Sequence, residues 1–218
     1  MANDFSFIRP IGLLPMPIFK MLPYEITLQV SSFVGFVLLA FLLGFLLEKY
    51  MSKQWQKTSI LNLILPVVAA VLLFLRFGFE TDSFKGLILF LLLLFASNSD
   101  LRTREVDDTI PIMIAITALI GIEISSIPIM VLGAVCVAIP QLLIAVLRHN
   151  SYGGADIKIM AACSFLLGLE RGLIAIIVGL AVAIILTTII RKIQKKNLKE
   201  TFPIVPYLAL SCFLTFFI

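Results

Sequence analysis

Eight apolar runs follow one another through the chain, at about 28–47, 60–76, 86–99, 110–124, 127–147, 157–169, 172–190 and 204–218, with short polar connections between them. Nothing else in the sequence constrains the fold as tightly. A segment placed in hydrocarbon must satisfy its backbone N–H and C=O groups internally, and a helix does so within a single segment. The runs at 110–124, 157–169 and 204–218 fall short of the roughly 20 residues that a crossing takes. Composition agrees with the pattern. The chain of 218 residues is 61% hydrophobic and 14% charged, against about half apolar and a quarter charged in soluble domains. The expected class is all-α: a polytopic integral membrane helical bundle of about eight transmembrane helices, with 1–218 forming one membrane-embedded domain and no room for a sizeable soluble appendage.

Prolines mark several ends. Pro111 and Pro128 suit first-turn positions, where the missing donor has no intrahelical partner to lose, while Pro140 inside a run predicts a kink. Residues 1–24 hold four prolines and little helical periodicity. They read as an extracytoplasmic arm on the surface, and lack the basic start and compact apolar core of a signal peptide. Lys and Arg set the orientation. With eight spans, 12 of the 17 basic residues fall on one side, among them Lys49, Lys53, Arg102, Arg104, Lys158 and Arg191. That side is read as cytoplasmic, in a multi-pass protein of the cell membrane with both termini outside. The basic stretch 191–200 needs only orientation and contact with anionic lipid; nothing points to a nucleic-acid partner.

Cys136, Cys163 and Cys212 lie inside apolar runs without CxxC spacing and read as small buried hydrophobes. His149 stands alone and reads as an interfacial residue. No glycine-rich phosphate loop, dinucleotide fingerprint or HExxH is present. Neither a cofactor nor a metal site is expected.

Two carboxylates stand apart from this background. Asp100 ends the third apolar run in SNSDLRTREVDD, and Asp156 opens the sixth in YGGADIKIM. An ionisable group at a bilayer edge is costly to keep and is a functional-site candidate by default. The span count puts both on the cytoplasmic side. Ordinary explanations exist for each alone: an interfacial ion pair with Arg102 or Arg104 for Asp100, a helix N-cap for Asp156.

Taken together, DLRTRE followed by Ile110-Pro111, and GGADIK two spans later, resemble the type IV prepilin peptidase family, membrane aspartic proteases of the GxGD type. The likeness extends to the proline-containing Phe202-Pro-Ile-Val-Pro-Tyr before the last helix. It implies an aspartic endopeptidase with Asp100 and Asp156 as the catalytic pair, and supporting motif positions at Arg102, Gly153, Gly154, Ala155 and Lys158. Ala155 stands where the second glycine of GxGD is usual, and Val106-Asp107 where Ile-Pro is frequent. The implied substrate is a type IV prepilin or pilin-like precursor, membrane-anchored behind a short basic leader, in a pilus or secretion system. Glu105, Asp107 and Asp108 are placed to attract that leader, or form a solvated acidic turn. The first connection, 48–59, has no cysteine, whereas many members carry there a cysteine-rich segment associated with zinc and methylation. Peptidase activity without methyltransferase activity is therefore expected. Helix ends suggest Asp156, at an N-terminus, as the base and Asp100, at a C-terminus, as the acid. Two other classes stay in view. A presenilin or signal-peptide-peptidase-like protease also uses GxGD, but Pro-Tyr-Leu-Ala-Leu at 206–210 is no clean match to its Pro-Ala-Leu. A small proton- or cation-coupled transporter subunit would place its carboxylates nearer the midplane.

Overall fold

The computed structural model describes residues 23–55, 59–147, 153–194 and 202–218. Most of the arm at 1–24, His149 and the basic stretch beyond Gln194 lie outside them. Among the described residues there are eight α-helices and no strand. In chain order they are α1 (Pro23–Trp55), α2 (Leu61–Phe77), α3 (Thr81–Thr103), α4 (Thr109–Ala118), α5 (Ile127–Leu147), α6 (Gly154–Leu167), α7 (Leu169–Gln194) and α8 (Val205–Thr215). Each apolar run became one helix, and the protein is a helical membrane bundle.

The helices are of two kinds. α1, α3, α5 and α7 are long and apolar enough to cross a membrane. α2, α4, α6 and α8 have 17, 10, 14 and 11 residues, which at 1.5 Å per residue is about 15–26 Å. Side chains such as Leu75, Ile177 and Ile184 on the outside are more than 60% exposed, a surface made for lipid tails rather than water.

Because lipid is as apolar as leucine, helices associate through close packing, which favours small residues at contacts. Antiparallel neighbours α1/α2, α5/α6 and α7/α8 pair along the chain, and α8 also lies against α3. Gly133 lets α5 reach the end of α6: a Cβ there would come within 2.8 Å of the Gly168 carbonyl carbon. Gly179 does the same for α7 against Ser211 of α8, at 2.5 Å. Cys163 and Cys212 are buried free thiols, as the sequence suggests; Cys136 is only half-buried.

Three boundaries depart from the sequence reading. α1 continues through the supposed loop at 48–59 as far as Trp55. There Lys53 sits favourably in the last turn, and Trp55 stacks on Phe95 of α3 with ring centroids 5.6 Å apart. α3 likewise runs on to Thr103, because its polar end hydrogen-bonds its own backbone: Ser97 Oγ donates to Leu93 O at 2.7 Å and Asn98 Nδ2 to Leu94 O at 2.9 Å. α4 stops at Ala118, short of the expected 124. The chain turns away through Gly121, whose φ of 63° is in the left-handed region that glycine enters without strain.

Candidate active site

One end of the bundle gathers the C-termini of α1 and α3 with the N-termini of α2, α6 and α8. Asp100 lies in the last turn of α3 and Asp156 in the first turn of α6. Both are buried, 9% and 8% exposed, and they are near enough for the charge of Asp100 to act on Asp156. The two carboxylates that the sequence separates by two spans thus come within electrostatic reach of each other.

Asp100 is held by hydrogen bonds. Its Oδ2 accepts from the backbone N–H of Val205 at 3.1 Å, the first residue of α8, whose amide has no partner within its own helix. The turn after Asp100 is also fixed. Arg104 closes α3 in the left-handed conformation, φ 58°, with its N–H donating to Asp100 O at 3.1 Å. Its side-chain charge reaches the Asp100 carboxylate. Ser99 Oγ donates to Glu105 O at 2.6 Å, and Thr103 Oγ1 lies 2.9 Å from Ser99 O and 3.1 Å from Glu105 O. The DLRTRE motif is therefore a clamped helix end.

Asp156 is held by clearance. It is the third residue of α6, and the N-cap is Gly153, so Asp156 is not itself the cap. Its side chain folds back toward Gly153, the direction that an acidic residue takes in a capping box. A Cβ on Gly153 would lie 2.7 Å from Asp156 Oδ2. Gly153 has φ −72°, so glycine is needed here for space and not for its backbone freedom. Around Gly154, by contrast, nothing lies within 4 Å of where a Cβ would stand. Ala155 is half-buried.

The other expected motif residues lie elsewhere. Arg102 stacks over the Trp55 ring at 5.3 Å, tying α3 to the end of α1. Lys158, two residues after Asp156, is nearly half a helical turn round and points outward. Its Nζ pairs with Asp108 Oδ1 at 2.6 Å in an exposed ion pair. Asp107 starts α4: its Oδ1 accepts from Thr109 Oγ1 at 2.6 Å and Thr109 N at 2.9 Å. Those bonds, the hydroxyl first, hold its carboxyl below the ordinary carboxylate range. Two of the three acidic residues in the turn thus have partners inside the chain.

Reasoning from sequence missed a polar line beside the site. Glu48 of α1 accepts from Ser59 N at 2.7 Å through Oε1 and from Asn62 Nδ2 at 2.7 Å through Oε2. Asn62 Oδ1 in turn accepts from Asn98 Nδ2 of α3 at 3.1 Å. The available signal was two lone amides, Asn62 and Asn98, near the ends of apolar helices. Among the described residues, no group of three or more His, Cys, Asp or Glu side chains converges as a metal would need.

The helix ends no longer separate the two aspartates. Asp100 sits at the unfavourable end of α3 but also at the favourable end of α8, so the dipole argument for Asp156 as base loses its asymmetry. What the arrangement offers chemically is a pair of buried carboxyl groups in mutual electrostatic reach at one rim of a membrane bundle.

No curated protein and no solved structure matches the chain. Residues 87–190 match the family model described as the type IV leader peptidase family. That stretch carries both aspartates with the helices between them, and over it the chain is similar to the type IV leader peptidase family.

Proposed function

We propose that the protein is a membrane aspartic endopeptidase that removes the short basic leader from type IV prepilins or pilin-like precursors, with Asp100 and Asp156 as its dyad. The observation that carries this reading is that the two buried carboxylates stand within electrostatic reach at one end of the bundle, inside the segment that matches the leader peptidase family.

Two buried carboxyl groups within electrostatic reach do not ionise together readily, so in this reading the pair keeps one proton. The ionised member takes a proton from a water molecule, whose oxygen attacks the scissile carbonyl carbon. The protonated member donates a hydrogen bond to the carbonyl oxygen, and the tetrahedral species collapses as the amine leaves with a proton. Apparent pKa values of the reaction belong to the pair.

Charge supports a cytoplasmic face for the site. Lys49, Lys53, Arg102, Arg104 and Lys158 lie near the site end, which supports a cytoplasmic orientation. The junction between a basic leader and an apolar helix lies at that same interface. Leader residues would find Glu105 exposed, and would reach Asp107 and Asp108 only in competition with Thr109 and Lys158. The connection from α1 to α2 is short and free of cysteine, in keeping with peptidase activity without methyl transfer.

The test is direct. Detergent-purified protein incubated with a prepilin removes a leader-sized mass. Asp100→Ala and Asp156→Ala each lower the rate by at least ~100-fold, the lower end of what acid–base catalysis supplies. Uncut precursor with the wild-type protein, or cleavage that survives either substitution, sinks the reading.

A further inference from the structure

The last turns of α3 carry consecutive polar residues, Ser97 to Asp100, and they are fastened in different directions. Ser97 bonds back to its own helix. Asn98 reaches sideways to Asn62 of α2, and through it to Glu48 of α1. Ser99 holds the chain that follows α3, and Asp100 receives the first amide of α8. Asn98 is two residues from Asp100 on the same rigid helix. Whatever fixes Asn98 therefore fixes the height and rotation of the carboxylate.

We infer that Glu48, Asn62 and Asn98 are positioning residues for Asp100: a hydrogen-bonded line across three helices that sets where the last turn of α3 stands. The inference rests on the peptidase reading of Asp100. Three features of the line favour this role over simple solvation of scattered polar groups. Asn62 is only 4% exposed, so its amide has little water to fall back on and depends on these partners. Both Glu48 oxygens accept, from Ser59 at the start of α2 and from Asn62 within it, so one carboxylate spans α1 and α2 before the line continues to α3. Arg102 over Trp55 provides a second tie between α1 and the same end of α3. With Tyr50 and Trp55 also set against Phe95 of α3, these contacts hold α1 to the catalytic end. A misplacement of about 1 Å at a reacting group costs on the order of 100-fold in rate, so a distant carboxylate can govern turnover without touching substrate.

A reciprocal exchange tests this. Glu48→Gln retains one acceptor but turns an N–H₂ toward a donor. Asn62→Asp sets two carboxylates against each other. Combined, the two substitutions remake all three bonds with donor and acceptor reversed between 48 and 62. Each single variant is expected to lose about tenfold in kcat with KM within about twofold, and the double variant to return to within about threefold of wild type, as a partial displacement of the carboxylate requires. Melting curves measured alongside establish that each variant is folded at the assay temperature. A second readout does not depend on cleavage: the infrared bands of the Asp100 carboxyl, assigned by their loss in Asp100→Asn, move in Asn98→Ala and in each single exchange variant, and return in the double. Bands that stay put, or a double variant no better than the worse single one, overturn the inference. A wild-type protein that cleaves no prepilin removes the peptidase reading instead, and the infrared result still decides this one.

Discussion

The two aspartates are held in opposite ways. Asp100 stands at the centre of hydrogen bonds drawn from α8 and from the turn behind it, while Asp156 stands in a space that exists because Gly153 has no side chain. One is positioned by bonds made, the other by an atom left out. The lesson is that a motif can be read as polar chemistry on one side of a site and as steric allowance on the other. Substitutions that respect polarity are then harmless at one and damaging at the other.

The steric half breaks most visibly. Gly153→Ala adds a methyl group 2.7 Å from Asp156 Oδ2, so the carboxylate must swing away. Prepilin cleavage is expected to fall by about 100-fold, although an N-cap change of this kind costs only about 1 kcal/mol of stability. Wild-type rates in this variant show that clearance is not what holds Asp156.

The bonded half predicts a trade. Arg104 occupies a left-handed cap that glycine fills without strain. Arg104→Gly is expected to raise stability by about 1 kcal/mol, read by thermal melting, and to slow cleavage several-fold because the charge that reaches Asp100 is lost. A variant both more stable and fully active removes Arg104 from the site.

The smallest effect sharpens the contrast by its absence. Lys158 is two residues from Asp156 but faces out to Asp108. An exposed pair of this kind contributes roughly 0–1 kcal/mol, and Lys158→Ala should leave cleavage within about twofold in the same assay. A larger loss would bring Lys158 back to the dyad.

Much of this was legible in the residues themselves. Apolar runs announce helices because hydrocarbon permits little else, and each of the eight runs is a helix. Asp100 and Asp156 announced themselves by cost, and span parity put them at one end. What did not show was direction. Arg102 and Lys158 sit within two residues of the aspartates, yet a helix turns 200° in two residues, so neighbours in sequence face apart. The converse hid Glu48 and Asn62, which come from other helices and enter the site region only through tertiary contact. The ends of α1 and α3 ran past their apolar runs for a related reason. Side chains that hydrogen-bond their own helix, or stack across to the next, let polar residues stay helical where composition alone suggests a loop.

The short helices have a consequence of their own. α4, α6 and α8 reach about 15–21 Å, whereas the hydrocarbon slab is about 30 Å deep. α6 and α8 are largely buried among the other helices, so where lipid does reach such short elements it thins, or headgroups and water sink to meet their ends. α6 and α8 are the helices whose first turns meet the two carboxylates. On the proposed reading, such thinning beside α6 and α8 would shorten the way that water travels to the two carboxylates.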